Sequence, residues 1–377
     1  MVQLRRESFR GGVMKRFIKP SLYRLLILGL IISLLQDRFP SIIESFYSTT
    51  VYYWVIRPYS LLTGVVPFSI AELLIIFITC FIIYQLINKV TIMIITPRQF
   101  LNELPKKLTR LGTIIAVIFV VFNFMWGFNY NRYTFEEISD IHVEDTTVVE
   151  LKNLALSLTN RANELRKQVE EDENGVMKIS DGFWDMFNRA DKGFLIASET
   201  YPELSGNYGR PKGVILSPLL SYAGIGGFYF PFTAEANVNI NMPHHMIPFT
   251  INHEMAHQAG FAREDEANYI AYLTSTKHPD PDFQYSGVMM ALTYTMNVLH
   301  RYDVNTWLEI RSEYSDGLRR DIKAAREYQK HYDGTTREVS TRLNNTYLVA
   351  NRQDEGVQSY GKMVDLLIAK HRLDILE

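Results

Sequence analysis

The chain has 377 residues, of which 47% are hydrophobic and 21% charged, and its 39 Lys and Arg against 41 Asp and Glu leave a formal net charge of −2. This hydrophobic content excludes a disordered chain, and the near-neutral charge argues against a nucleic-acid partner, because nucleic-acid-binding domains are usually basic. Cys80 is the single cysteine, which excludes an intramolecular disulfide and a cysteine-rich zinc site.

Three apolar runs in the first third of the chain predict membrane-spanning helices at about residues 22–39, 68–87 and 111–128. A helix needs roughly 20 apolar residues to cross the hydrocarbon core of a bilayer, and the second and third runs meet this length well. The first run is shorter and has Arg24 near its start, where the side chain can reach the head groups. A cleaved signal peptide is the alternative for this run, although no small-residue cleavage site follows it.

The basic residues predict the orientation of these helices, because cytoplasmic loops are enriched in Lys and Arg. They cluster before the first run and between the second and third, whereas acidic residues follow the third run. We therefore expect a multi-pass protein of the cytoplasmic membrane, with a cytoplasmic N-terminus, a membrane domain at residues 1–128 and an extracytoplasmic domain at residues 129–377. The lipid bilayer is thus a predicted partner, and the Tyr- and Trp-rich segment 45–60 is expected at its surface. Glu72 is expected at head-group level or in a polar contact with another helix.

Residues 129–377 mix helical and extended patterns and predict an α+β domain rich in helices. Apolar residues recur every three or four positions over residues 148–165, as in an amphipathic helix. Glycines and prolines punctuate short apolar runs between residues 204 and 241, where Glu235–Asn241 alternates like a half-buried strand. Helical patterns return near Ile247 and continue to the end of the sequence.

The stretch that carries chemistry is His253-Glu254-Met-Ala-His257, an HExxH pattern. On a helix, residues four apart share a face, so both imidazoles can bind one Zn²⁺ while Glu254 acts as general base toward a water on the metal. The flanking residues are apolar, which predicts a buried helix. Burying charged groups is costly unless they are paired or bind a metal, so their presence here indicates a function. Gly260 follows where a left-handed C-cap would end the helix and turn the chain back.

The third zinc ligand is expected from the acids that open the next helical pattern, because a carboxylate usually completes a site without a third histidine. Glu264 shares a face with Asn268 and with small alanines that allow close helix approach, and Asn268 could orient a ligand histidine. We expect Glu264 as the ligand, with Glu266 as the alternative. A helical hairpin without a metal is the structural alternative to the whole site.

These features resemble the bacterial membrane-anchored family called domain of unknown function 3810, with a zincin-like catalytic motif. The resemblance extends over nearly the whole chain and rests on the HExxH stretch and on five further segments: Arg57-Pro58, Pro67–Leu73, Tyr229–Asn239, Tyr347-Leu348 and Ser359–Gly361. The family has no agreed substrate, so the resemblance implies the fold and the membrane topology rather than a reaction.

The segment Glu264-x-x-Ala267-Asn268 also resembles the ExxA(D/N) element of gluzincin peptidases. This resemblance implies that Glu264 is the third zinc ligand and that Asn268 orients a histidine. It also implies an edge strand upstream of the HExxH helix that binds the substrate backbone. Glu235–Asn241 is the candidate for that strand, with a core or purely structural strand as the alternative. The gap after His257 is much shorter than in most gluzincins.

Two further pairs of residues are candidates for the site. The tetrahedral intermediate of amide hydrolysis develops negative charge that needs a donor, and we expect Tyr347 or Tyr360 to supply it. His244 and His245 precede the motif and could bind a second metal, with a solvated loop pair as the alternative.

Together these patterns predict an integral membrane zinc metallopeptidase that hydrolyses peptide bonds of cell-envelope proteins or peptides. A non-catalytic envelope binding or scaffold protein on a zincin-like fold is the alternative from another class, and a metal-dependent cell-wall amidase is the alternative among enzymes. Glu254 favours an enzyme, because a binding module needs no acid between two histidines.

The charge pattern predicts the outcome of a topology experiment. A reporter that is active only in the cytoplasm should be active when inserted between Lys89 and Arg110 and inactive when fused after Glu377. An active fusion at the C-terminal end would overturn the extracytoplasmic assignment of residues 129–377.

Overall fold

The computed structural model describes residues 38–139, 141–351, 353 and 360–376, with isolated positions between 24 and 31. The side chains of residues 98–102, 360 and 374–376 are outside the described set. Most of the first predicted span, residues 22–39, therefore lies outside the described residues.

The described chain is mainly helical, with short strands in its middle third. Its helices and strands are, in chain order, α1 (Pro40–Ile42), a π-helix (Ile43–Tyr52), α2 (Tyr53–Gly64), α3 (Ile70–Ile95), α4 (Pro97–Met125), a 3₁₀-helix (Gly127–Asn131), α5 (Phe135–Ser139), α6 (Val148–Arg166), α7 (Gly182–Arg189), α8 (Asp191–Ala197), a 3₁₀-helix (Pro202–Leu204), β1 (Lys212–Gly213), α9 (Ser217–Ala223), β2 (Gly227–Phe230), β3 (Glu235–Val238), a 3₁₀-helix (His244–Met246), α10 (Ile247–Gln258), α11 (Glu264–Lys277), α12 (Pro281–Tyr302), α13 (Val304–Ser312), α14 (Asp316–His331), α15 (Thr335–Ala350) and α16 (Tyr360–Leu376).

Two helices in the described part of the chain, α3 and the Glu103–Met125 part of α4, are long and apolar enough to cross a membrane. They correspond to the second and third predicted spans, although α3 continues to Ile95 and α4 ends at Met125 rather than at Phe128. Only 11% and 6% of the residues in their apolar windows are buried, so neither is the core helix of a globular domain. The described residues thus hold two candidate spans rather than three.

The larger core of the protein is built by helices. α10, α11 and α12 pack against one another, α6 packs along α12, and α16 packs on α11, α12 and α6. α6 begins with a capping box, in which Thr147 and Glu150 each bond the other's backbone N–H. The amphipathic repeat over residues 148–165 faces this core, as its spacing predicts. The α10–α11 hairpin is therefore held in place by the helices around it.

A three-stranded sheet packs against α10 in the order β1-β3-β2, with β1 parallel and β2 antiparallel to β3. The expectation that Glu235–Asn241 is an edge strand is wrong, because β3 is the central strand of this sheet. Glu235 and Asn237 produce the polar half of the alternation, yet both side chains are buried and bond to the start of α3. The edge strand on the antiparallel side is β2.

A second, smaller core joins the candidate spans to the α10–α11 hairpin, and we call it the membrane-proximal core. It contains these buried residues: Ile43, Tyr47, Tyr52, Ile56, Trp126, Tyr130, Ala234 and Ala262. They come from the helical segment before α3, from the chain just after α4, from the β2–β3 turn and from the loop before α11. Four distant parts of the sequence thus meet at one end of the two candidate spans.

Buried polar groups fix the start of α3 on the sheet. Glu235 accepts hydrogen bonds from the backbone N–H groups of Ile70 at 3.2 Å and Ala71 at 2.7 Å, and it pairs with the Lys212 ammonium. A carboxylate is favourable at this position because the N-terminus of a helix carries partial positive charge and unpaired N–H groups. Ser69 Oγ donates to Asn237 Oδ1 at 2.6 Å.

Glu72 makes the second polar connection between α3 and the rest of the fold. Its buried carboxylate accepts from the backbone N–H groups of Ile215 at 3.0 Å and Leu216 at 2.7 Å, just before α9. Glu72 therefore bonds a loop rather than another helix, and its burial by protein differs from the expected place among lipid head groups.

Arg132 and Glu44 form a buried bidentate ion pair, with N–O distances of 2.9 and 2.6 Å. Arg132 Nη1 also donates to the Gly260 carbonyl at 3.2 Å, and the guanidinium lies 4.3 Å from the centre of the Phe261 ring. The pair therefore connects the π-helix to the turn that follows α10.

Replacing Arg132 by Met should lower the free energy of unfolding by about 3–5 kcal/mol, because Glu44 would keep a buried charge without its partner. Unfolding of the detergent-solubilised protein by heat or denaturant measures the change. Lys152→Met is the matched control, since its 3.1 Å pair with Glu309 is exposed. We expect a loss below about 1 kcal/mol for the control. Equal losses for the two variants would contradict the role of the buried pair.

Candidate metal centre

The site is built on the turn that ends α10. The Gly260 N–H donates to the His257 carbonyl at 2.9 Å and the Phe261 N–H donates to the Ala256 carbonyl at 3.1 Å, which is the bonding pattern of a Schellman motif. Gly260 has a φ of +93°, a conformation that L side chains rarely adopt. The chain therefore reverses within a few residues, and α11 begins at Glu264.

The turn brings three donor side chains together. Glu264 Oε2 lies 3.3 Å from His253 Nε2, and Glu264 Oε1 lies 3.7 Å from His257 Nε2. One ligand atom from each residue falls within 4.8 Å of the other two, and this is the one such group of His, Cys, Asp and Glu found in the part of the chain that the structure describes. Two imidazole nitrogens and a carboxylate oxygen are the donor set of catalytic zinc sites.

The His257 ring is oriented by the turn itself. Its Nδ1 lies 2.7 Å from the Phe261 carbonyl, so the Nδ1–H donates and the Nε2 lone pair remains for a metal. The Trp126 ring meets the His257 ring edge to face at 5.8 Å between centroids. This combination fixes both the tautomer and the direction of the imidazole.

His253 is held less completely by its protein partners. Asn268 makes a minor contribution to the pKa of this imidazole, after burial, Glu264 and Glu254. The buried His253 Nδ1 has no hydrogen-bond partner of normal geometry among the described residues. His253 therefore lacks the support that the Phe261 carbonyl gives His257, and the role of Asn268 in orienting it stays a prediction.

The charges of the three donors compensate one another. Burial opposes the positive charge of His253, but the hydrogen bond and charge of Glu264 outweigh it and raise the pKa of this imidazole. For His257, burial and the charge of His253 lower the pKa to about 4. Burial works against the Glu264 carboxylate, but its hydrogen bond to His253 and the two imidazoles lower its pKa to about 2. Glu264 therefore favours a positive charge on His253, whereas His257 keeps the neutral ring that a metal ligand needs.

Glu254 lies beside the three donors and is buried between α10 and β2. Burial raises the pKa of its carboxyl to about 8, with the charge of Glu264 adding to the effect and His253 and the Tyr229 N–H opposing it. A Cβ on Gly227 would come within 2.6 Å of Glu254 Oε1, so only glycine leaves room for the carboxylate here. Glu254 Oε2 has no hydrogen-bond partner among the described residues.

The alternative third ligand, Glu266, is engaged elsewhere. Its Oε1 accepts from the Phe135 N–H at 3.1 Å and from Arg263 Nη1 at 2.8 Å, in a buried position at the start of α11. The geometry thus brings Glu264, and not Glu266, to the two histidines. That Glu264 binds zinc stays a prediction.

Tyr347 lies close to the metal centre, whereas the side chain of Tyr360 is outside the described residues. The hydroxyl of Tyr347 accepts a hydrogen bond from the Tyr130 hydroxyl at 3.0 Å. Burial raises the pKa of both phenols, and the negative charge of Glu264 contributes to both shifts, which places the pair near that carboxylate.

His244 and His245 are not a solvated loop pair. The Ile179 N–H donates to His244 Nδ1 at 3.0 Å, and His245 is buried, which lowers its pKa to about 4. Neither belongs to a converging group of metal donors within the described ranges. Their surroundings indicate a role in packing the start of α10.

Trp126, Tyr130 and Gly227 belong to the site but were not predicted from the sequence. A signal for the first two exists in the stretch Trp126-Gly-Phe-Asn-Tyr130, which places aromatic and amide side chains directly after an apolar run. Gly227 carries no signal of its own, because its role depends on the approach of Glu254 from another element.

The fold and the site define a mainly helical protein with two candidate membrane-spanning helices and a converged His-His-Glu group. The family model described as "Protein of unknown function (DUF3810)" matches residues 47–368. The chain therefore belongs to this family, and the resemblance seen in the sequence is confirmed to that extent. No curated protein and no solved structure matches the chain.

Substituting the proposed third ligand should remove the metal. Glu264→Ala should lose most of the zinc that co-purifies with the detergent-solubilised protein, because one of three protein ligands is gone. Glu266→Gln is the control, since it keeps the shape of a carboxyl group that bonds Phe135 and Arg263. Elemental analysis of both variants and of the unaltered protein measures the zinc content. A zinc-poor Glu266→Gln variant beside a zinc-replete Glu264→Ala variant would reverse the ligand assignment.

Proposed function

We propose that this protein is an integral membrane zinc-dependent metallopeptidase that hydrolyses peptide bonds of cell-envelope proteins or peptides. The observation that supports it best is the Glu254 carboxylate, which is buried without a partner for Oε2 beside the converged donors of His253, His257 and Glu264. The basic-residue pattern supports a catalytic domain outside the cytoplasm.

The residues present fit a zinc ion. His253 and His257 both direct Nε2 toward Glu264, and the Phe261 carbonyl holds His257 in the tautomer whose Nε2 lone pair is available to a metal. When bound there, zinc would supply a Lewis acid that polarises the scissile carbonyl and lowers the pKa of water.

Glu254 is the proposed general base and later the general acid. Its carboxylate would take a proton from the attacking water and return it to the leaving amine, for which a pKa near neutrality is well suited. Burial raises the pKa of Glu254 to about 8, and a nearby divalent cation would favour the charged form. The orphaned Oε2 is the atom that can receive the proton.

Tyr347 is the proposed donor to the oxyanion that develops in the transition state, and Tyr130 supports it. A hydroxyl pair can direct one O–H to the substrate while the other supports it, and preorganised donors of this kind stabilise developing charge strongly. The 3.0 Å bond between the two phenols and their proximity to Glu264 support this role.

β2 supports a peptide substrate, because it offers a strand edge beside Glu254. The Asn239 N–H donates to the Gly226 carbonyl at 2.8 Å, so the next residues along β2, Gly227 and Tyr229, direct their backbone groups away from β3. The Tyr229 N–H bonds the Glu254 carboxyl, so a peptide on this edge would use the other backbone groups. No further strand of the described residues pairs with this edge. An extended peptide could therefore add to β2 and be held by its backbone.

Glu254→Gln should keep the fold and the zinc but reduce hydrolysis by about 10²–10⁴-fold, because the amide preserves the shape of the side chain and cannot accept the proton. Zinc content and cleavage of an envelope-peptide mixture, followed by mass spectrometry, measure the two properties. Glu327→Gln is the matched control, an exposed carboxylate on α14 whose loss should change neither.

The outcomes separate the candidate functions. Zinc retained with activity lost supports a hydrolase, and cleavage of peptidoglycan fragments instead of peptides would make it a cell-wall amidase. Loss of zinc in Glu254→Gln would make Glu254 a ligand or a structural group. A Glu254→Gln variant that fully complements a deletion strain would favour the binding or scaffold function over catalysis.

A further inference from the structure

The metal centre lies at the end of a candidate membrane-spanning helix. α4 ends at Met125, and the next residue, Trp126, places its ring against His257. One turn earlier, the Phe122 ring lies 6.4 Å from the ring of Tyr347. Because a helix rises about 1.5 Å per residue, these two contacts are separated by only about 6 Å along the helix axis. The site therefore lies directly at the end of the apolar segment.

The second candidate span starts at the same level. Glu235 caps the first turn of α3, and Ser69 bonds Asn237, so β3 sits directly on the start of that helix. β3 pairs with β2, where Gly227 lies against Glu254. Both spans thus meet the membrane surface within one strand or one helical turn of the reacting groups.

Exposed apolar residues lie on three helices that connect to the spans or precede them in the chain. Leu343 on α15 is 67% exposed, Leu219 on α9 is 60% exposed and Trp54 on α2 is 70% exposed. α15 carries an exposed stripe of Val339, Leu343 and Tyr347, spaced by four residues along one helix face. Contiguous exposed apolar surface marks a membrane or protein contact.

The lipid bilayer is the occupant that fits these faces, because α9 and α15 each connect to a candidate span. α9 and α15 pack against each other, and Glu72 of α3 bonds the backbone just before α9. Tyr347, the last residue of the α15 stripe, contacts Phe122 of α4 at one end and Tyr130 of the metal centre at the other. The stripe therefore runs from the spanning helices to the site.

We propose that the catalytic centre lies at the lipid surface and that its substrates are polypeptides anchored in the same membrane, cut close to their anchor. This inference rests on the proposed peptidase function. An anchored chain presents its juxtamembrane residues in the plane of β2 and the metal centre, and the anchor raises its effective concentration there. A peptide in free solution has neither advantage.

The first test measures the depth of the apolar faces. In a Cys80→Ser background, Leu219→Cys and Leu343→Cys are labelled with a fluorophore, and the full chain is reconstituted in vesicles of brominated phosphatidylcholine. Leu308→Cys on α13 is the matched control, an equally exposed leucine on a helix that packs on α12 and α6. We expect quenching at the first two positions and none at the control. No quenching at residues 219 and 343 overturns the proposal. If the fluorophores there are protected from water but are not quenched by the lipid, those faces contact a protein partner instead.

The second test compares two substrates in the same vesicles. Both carry one randomised peptide segment, which is joined to a polyleucine transmembrane helix in one case and free in the other. We expect kcat/KM to be at least about tenfold higher for the anchored form and both reactions to require Glu254. Equal rates would overturn the anchored-substrate proposal and leave the peptidase function intact. If the zinc-loaded protein cleaves neither the anchored nor the free substrate, the peptidase function is contradicted. The quenching experiment still decides whether the site lies at the lipid surface.

Discussion

The reversal of the chain at Gly260 is the constraint on which the converged His253, His257 and Glu264 group depends. Its positive φ allows α11 to return along α10 at once, and a side chain there would be strained and would press on Tyr52 at 3.2 Å. The same turn supplies the Phe261 carbonyl that orients His257, and the Gly260 carbonyl that binds Arg132. Helix end, ligand orientation and contact with the membrane-proximal core are thus determined by one short segment.

Buried charges connect the ends of the two candidate spans to the rest of the fold. Arg132 joins the π-helix to the Gly260 turn through Glu44, and Lys212 joins β1 to the start of α3 through Glu235. Buried ion pairs add little net stability, since desolvation offsets much of their attraction, but breaking one is costly. Their physical effect here is to select one register of helix against sheet. A shift of α3 by one turn would leave the charge of Glu235 without the helix N-terminus that it caps.

Local patterns predicted the parts of the site that are local. The HExxH spacing, the glycine C-cap and the acids after it lie within a dozen residues, and the hairpin they predicted is present with Glu264 at the histidines. Contacts between distant segments were missed. Glu72 bonds the backbone of a residue 143 positions away, Tyr130 meets Tyr347 across 217 positions, and the polar residues of β3 are buried by α3. Hydropathy and alternation indicate whether a segment is buried or exposed, but they do not identify the segment that packs against it. The surroundings of Glu72 and β3 were therefore predicted wrongly, whereas the core-facing side of α6 was predicted correctly.

Glu254 shows that the fold is not optimised for stability at this position. Its carboxyl is buried with one oxygen unpaired, and leaving a buried polar group without a partner costs on the order of 1–3 kcal/mol. Gly227 is required beside it, and a glycine within a strand weakens that strand. Glu266 Oε2 is also buried without a partner among the described residues, so an unpaired oxygen does not by itself mark a catalytic group. Glu254 differs in its position, because it lies between His253 and His257 on α10, beside the group that these histidines form with Glu264. This position, and not the unpaired oxygen alone, makes Glu254 the candidate proton acceptor.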